Sequence, residues 1–382
     1  MWVKKIEISK WILTEKDLCN NFDKKKFNKF KKQSYDETLG WDQKKSFKSY
    51  DSIGNKKIFY KISKKGYRES INDNKENIIA SFGDSYVFSR QVRDSQTWQE
   101  YLSKSLNIFV SNYGVGNYGL DQAYLKFLKT KISKKTKIII FGFVPETICR
   151  IQSIWKNYLE FGNVHAFKPH VNLKNQNIIF ETNYLKKNSK LNDIDLIIDK
   201  IRKKDRFYEG KFKKRIFKFP YILSFLKNIN INIKIFFSTF KFVFKKKINF
   251  KDLDNKIFPF IMSKNIDESH NLYKEKYSKE LLFKTMLRIN QNISSKKRKV
   301  FFVIFPQLYD LEKKSKANYQ SLFKNFIIQN KRLKILDLTD KFMKTNYNNF
   351  FTNDKYGGHL NAKGNKFVAK EIKKIIDNEN NS

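Results

Sequence analysis

A chain of 382 residues with 79 basic against 37 acidic residues carries a formal charge of +42, and its length suits one large domain with insertions or two of ordinary size. Its only two cysteines, Cys19 and Cys149, lie in no His/Cys cluster of zinc-like spacing, which excludes a disulfide framework and points away from a metal site or other cofactor. Nowhere do about 18 uninterrupted apolar residues occur, so no transmembrane helix is expected.

The positive charge is spread along the chain and is almost all lysine, accompanied by Asn, Ile, Phe and Tyr. Those residues share AT-rich codons, so a base-composition bias explains the excess better than specific nucleic-acid recognition, for which arginine is the preferred residue. A weak, salt-sensitive attraction to acidic glycans, nucleic acid or anionic membranes follows in either case. The first residues, "MWVKKIEISKWILTEKDLCNNF", show neither an apolar h-region nor a cleavage site. A cytoplasmic location is expected, with peripheral membrane contact left open.

Residues 1 to 70 read as a polar, aromatic-dotted extension with a turn signal at Gly54-Asn55. From about 77 onward, short apolar runs alternate with amphipathic segments, the pattern of β-α-β units and a parallel sheet. The expected strands are 77–82, 107–112, 136–142, 299–305 and 333–338. Thr97 and Glu100 have capping-box spacing ahead of Trp98, Tyr101 and Leu102 on one helical face. Leu120, Tyr124, Leu128 and Lys131 predict a helix after Gly119, and a long helical pattern spans about 266–295.

The interval 151–264 is too long for one crossover and must hold an insertion. This divides the chain into an extension (1–70), a first core part (71–150), the insertion, and a second core part (265–382). Within the insertion, the basic-aromatic run at 202–220 reads as a solvated connecting face. The apolar stretch at 219–244, interrupted by lysines and asparagines, reads as a buried or amphipathic pair of elements in preference to an interfacial membrane patch.

Four places share one chemistry. Gly83-Asp84-Ser85 ends the first strand, where open α/β folds hold reactive groups. "NYGVGNYGLDQ", 112–122, follows the second strand with three glycines that allow close backbone approach to a ligand. "FGFVPETICRI", 141–151, ends the third strand. "NDKYGGHLNAKGNKFVA", 353–369, places an aspartate and a histidine before a final helix. For each place taken alone, a turn or a helix cap is the simpler explanation. Together, a serine after the first strand and an Asp and His after the last have the order and chemistry of a nucleophilic triad.

These blocks resemble the SGNH, or GDSL, hydrolases over 77–145 and 299–375. The resemblance implies a three-layer α/β/α, flavodoxin-like fold with a parallel five-stranded sheet, here with an N-terminal extension and a large insertion. It implies Ser85 as nucleophile, His359 as base and Asp354 behind the histidine. The oxyanion donors would be the N–H groups of Ser85, Gly116 and Asn117, Asn117 standing where the family usually has glycine. Tyr86 replaces the family leucine, and Pro145-Glu146 stands where Asn-Asp is common. Proline has no N–H, so a substitute donor is required, and the Asn117 backbone and the Thr147 side chain are the nearest candidates. Asp354 and His359 are five residues apart where three is usual, with Gly357 and Gly358 able to absorb the difference. The implied activity is that of a serine esterase or O-acyltransferase on an acetyl-like ester, of a carbohydrate by preference, with no cofactor. The alternative is a catalytically degenerate member that binds a glycan or a partner.

Overall fold

The computed structural model describes residues 11–18, 22–53, 56–244, 250–313, 318–352 and 358–380. Cys19, Gly54-Asn55, Asp354 and Gly357 lie outside the described residues. Contacts along the chain define two units. One is built from Met1–Gly40, Ser153–Lys168 and Asn183–Glu268, the other from Trp41–Gln152, Pro169–Thr182 and Ser269–Ser382. This partition cuts across the linear one, since residues 41–70 and the hairpin His170–Lys174/Asn177–Glu181 belong with the sheet.

The larger unit is built on five parallel strands: β1 (Asn77–Gly83), β2 (Phe109–Asn112), β3 (Ile138–Phe143), β4 (Lys299–Ile304) and β5 (Lys334–Asp337). Their spatial order is β2-β1-β3-β4-β5, the flavodoxin-like order expected. The side chains of β2 and β3 are buried throughout, as in parallel sheets covered on both faces. On one face Ile79, Val110, Ile140 and Val303 join a core with Trp98 and Leu102. On the other, rings stack from Tyr113 to Phe82 at 4.9 Å, and from Phe141 to Phe302 at 6.0 Å. The fold is a three-layer α/β/α sandwich.

The helices of this unit follow from local signals. The four-residue α1 (Ser85–Phe88) leaves β1 directly. Helix α2 (Trp98–Leu106) starts where Thr97 accepts the Glu100 N–H, the cap that the spacing announced. In α3 (Leu120–Lys129) the inner face is Leu120, Ala123, Tyr124 and Phe127. Leu128 is exposed and Lys131 lies beyond the helix, so the helix forms where expected but ends before the last residue of that pattern. The pattern at 266–295 is two helices, because Leu272–Lys274 forms a 3-10 turn before α4 (Lys276–Ser294). Helix α5 (Ala362–Asn380) buries Val368, Ala369, Ile372 and Ile376 as one stripe in the core shared with Trp98 and Leu102. The strands Phe47–Ile53 and Lys56–Ile62 pair antiparallel.

The smaller unit is helical. Trp11, Ile235, Leu253 and Ile257 form a core cluster, and the Trp11 indole donates to Asp254 at 3.2 Å. The run at 202–220 is not a solvated face, because Asp205, Phe207, Phe212 and Ile216 are buried. Asp205 accepts the N–H groups of Ile154, Trp155 and Phe207 at 2.9 to 3.0 Å. Among the described residues, no helix is long and apolar enough to cross a membrane.

Candidate active site

Strand β1 ends against a steric constraint. Gly83 lies opposite Gly142 in the β1/β3 register. A Cβ at Gly83 would stand well under 3.0 Å from the Gly142 carbonyl and from Val87, and one at Gly142 would meet Val87 and Phe305. The paired glycines let α1 sit down onto the sheet, so Ser85 emerges at the carboxyl edge on a turn of fixed course. Asp84 caps that turn: its carboxylate accepts the Tyr86 N–H at 2.9 Å and the Val144 N–H at 3.0 Å.

His359 reaches this edge from the far end of the chain. Its Nε2 stands 3.0 Å from Ser85 Oγ, within hydrogen-bond range. Ser85 is half-buried and His359 is buried. The histidine segment is held by Thr352, whose N–H donates to the His359 carbonyl at 2.7 Å and whose hydroxyl accepts the His359 N–H at 3.2 Å. Tyr86 lies against the imidazole with ring centroids 5.2 Å apart, and its hydroxyl donates to the Gly358 carbonyl at 2.8 Å. Tyr86 therefore braces the imidazole and the segment that carries it. Asp354 lies outside the described residues.

The second block turns beside the same strand end. Asn112 closes the turn by accepting the Gly114 N–H at 3.0 Å, and the Val115 N–H donates to the Gly83 carbonyl at 2.9 Å. Asn117 adopts φ +68° and is exposed, and Gly116 has open space where a side chain would be. Among the described residues, the N–H groups of Ser85, Gly116 and Asn117 make no hydrogen bond. The Trp41 indole donates to the Gly116 carbonyl at 3.1 Å and presents a half-buried ring beside this turn.

The third block behaves differently from expectation. The Pro145 carbonyl accepts the buried Tyr273 hydroxyl at 2.7 Å. Thr147 is fully buried, and its hydroxyl accepts the Leu120 N–H at 2.9 Å to cap α3. Thr147 thus caps a helix terminus from a fully buried position, a role that its sequence neighbours do not signal.

A buried polar chain that sequence reasoning missed ties the strand ends together. Arg150 approaches Asp84 at 3.5 Å, donates to the Tyr118 carbonyl at 3.3 Å and pairs with Glu146 at 2.8 Å. Gln307, after β4, donates to the same Glu146 carboxylate at 2.9 Å. Burial pushes the Asp84 carboxyl above its usual range, against the pull of Arg150 and two N–H groups. One local signal existed, the i,i+4 spacing of Glu146 and Arg150; their meeting with Asp84 and Gln307 required the fold.

Among the described residues, no group of three or more His, Cys, Asp or Glu side chains could hold a metal ion. Cys149 is buried, and its thiol donates to the Glu146 carbonyl at 3.0 Å. No protein-family model matches the chain, and no curated protein does. Among solved structures, the chain is similar to one titled a "putative lipolytic protein of G-D-S-L family from Desulfitobacterium hafniense DCB-2". The sequences are 9% identical, the match covers 76% of this chain and 97% of that one, and the TM-score is 0.32.

Proposed function

We propose that the protein is a serine ester hydrolase or O-acyltransferase that works through an acyl-serine intermediate. The observation that carries this reading is the 3.0 Å approach of His359 Nε2 to Ser85 Oγ at the carboxyl edge of a parallel sheet. His359 takes the hydroxyl proton as Ser85 Oγ bonds to the ester carbonyl carbon, and returns it to the departing alkoxide. Asp354 is assigned the role of orienting the imidazole. Water then resolves the acyl-serine in a hydrolase, and a sugar hydroxyl does so in a transferase.

The N–H groups of Ser85, Gly116 and Asn117 are assigned to the oxyanion, a role for which donors free of other partners are suited. An acetyl-like ester on a carbohydrate is the preferred substrate, because the Trp41 ring beside Gly116 offers an apolar face to a sugar. A binder without turnover is the second reading, favoured by Pro145, which brings no N–H.

A fluorophosphonate probe should label the protein at Ser85 alone, as located by peptide mass spectrometry, and Ser85→Ala should abolish the adduct. Labelling at another residue, or none where a control esterase reacts, overturns the assignment. Labelling at Ser85 without turnover of short-chain aryl acetates decides for the binder.

A further inference from the structure

The helical unit exposes apolar surface that its core does not use. Helix Ile229–Phe244 buries Ile235 with Trp11, Leu253 and Ile257. Yet Ile229, Ile233, Phe236, Phe237 and Phe240 are all exposed, by 39 to 53%. Their spacing of i, i+4, i+7, i+8 and i+11 places them on one stripe, on the side of the helix away from Ile235. A helix that is apolar on two faces has a second medium to satisfy.

The short helix Tyr221–Lys227 continues this surface. Phe219, Tyr221, Ile222, Leu223 and Leu226 are 52 to 78% exposed, and within the helix only Ser224 is buried. The two helices meet through Phe225 and Phe236, whose rings are 6.3 Å apart, and Phe236 stacks on Phe240 at 6.0 Å. Scattered apolar residues on a surface need no explanation, but a contiguous patch of this kind marks an interaction site.

Charge selects the partner. From Gly210 to Lys251 the sequence holds 12 Lys and Arg and no Asp or Glu. Lys211 and Arg215 are neutralised by Glu268, and Lys213 by Glu209. Lys214, Lys218, Lys227 and Lys241 are exposed and form no salt bridge among the described residues. Aromatic and aliphatic side chains on one side, bordered by unneutralised lysines, are what an anionic lipid headgroup layer accepts. Because no described helix is long and apolar enough to cross a membrane, these helices would lie in the plane of the interface.

We infer that the helix pair 221–244 docks the protein on an anionic membrane surface. This does not depend on the ester chemistry. The full chain should co-sediment with phosphatidylglycerol-containing vesicles and bind pure phosphatidylcholine vesicles about tenfold less well. Phe236→Ser/Phe237→Ser/Phe240→Ser, at exposed positions, should lose most of the bound fraction while circular dichroism and Tm stay those of the parent. Lys227→Glu/Lys241→Glu should weaken binding to the anionic vesicles only. No binding by the parent overturns the inference. So does undiminished binding by the triple Ser variant, which would assign adhesion to the general charge. A parent that sediments as a dimer, and becomes monomeric with the three serines, would give the face to a second copy instead.

Discussion

In the sheet-centred unit, the residues that depart from ordinary burial are polar and inside: Asp84, Glu146 and Gln307 are buried at the strand ends and bonded to one another directly or through Arg150. In the helical unit they are apolar and outside, with Phe219, Ile222 and Phe236 more than half exposed. Buried polar groups are costly unless every one is bonded, and a satisfied network fixes its members in place. Exposed apolar groups cost little structurally and leave a surface free to engage something else. The first arrangement suits chemistry that needs fixed positions, the second suits adhesion that does not.

Substitutions can break this contrast. His359→Ala should have the largest effect, lowering hydrolysis of a short-chain aryl acetate by about 10⁴-fold or more with little change in urea midpoint. Rate assays beside urea unfolding would check it, and a rate near that of the parent would make the histidine structural. Gly83→Ala comes next. Its Cβ would meet the Gly142 carbonyl and Val87, so the variant should lose about 3 kcal/mol or more in urea unfolding, together with probe labelling of Ser85. Parent-like stability would mean that the sheet edge yields where it is described as tight.

The smallest of these effects tests the helical unit from inside. Burial lifts the Asp205 carboxyl to about 6, against about 3.9 in an unfolded chain. Between about pH 4 and 6 the folded state then holds a proton that the unfolded chain has released. The contribution of this group is complete below about pH 4 and is lost as pH rises through about 6, amounting to about 3 kcal/mol at most. Subtracting the pH dependence of Asp205→Asn unfolding from that of the parent isolates it. A difference that grows with pH would reverse the assignment.

The sheet was legible because each strand is a short apolar run bounded by turns, and Ser85 and His359 stood out because their blocks follow strand ends in order. What escaped reading did so for physical reasons. The spacing over 120–131 marks a helix but not its buried face: Phe127 and Leu128 are both apolar and adjacent, and only packing against Phe82 and Phe141 separates them. The outer stripe of Ile229–Phe244 was hidden because a helix apolar on two faces has little periodic contrast. Arg150 bonds to residues from other strand ends, and one sequence offers no signal for such meetings.

The pairing of Ser85 with His359 spans 274 residues of chain. A ribosome adding about 5–20 residues per second takes tens of seconds to pass from one to the other. Throughout that interval the growing chain carries Ser85 without the imidazole that stands beside it in the fold. On the proposed acyl-serine chemistry, esters around the nascent protein are safe from Ser85 until residue 359 has been added and the loop between the two has closed.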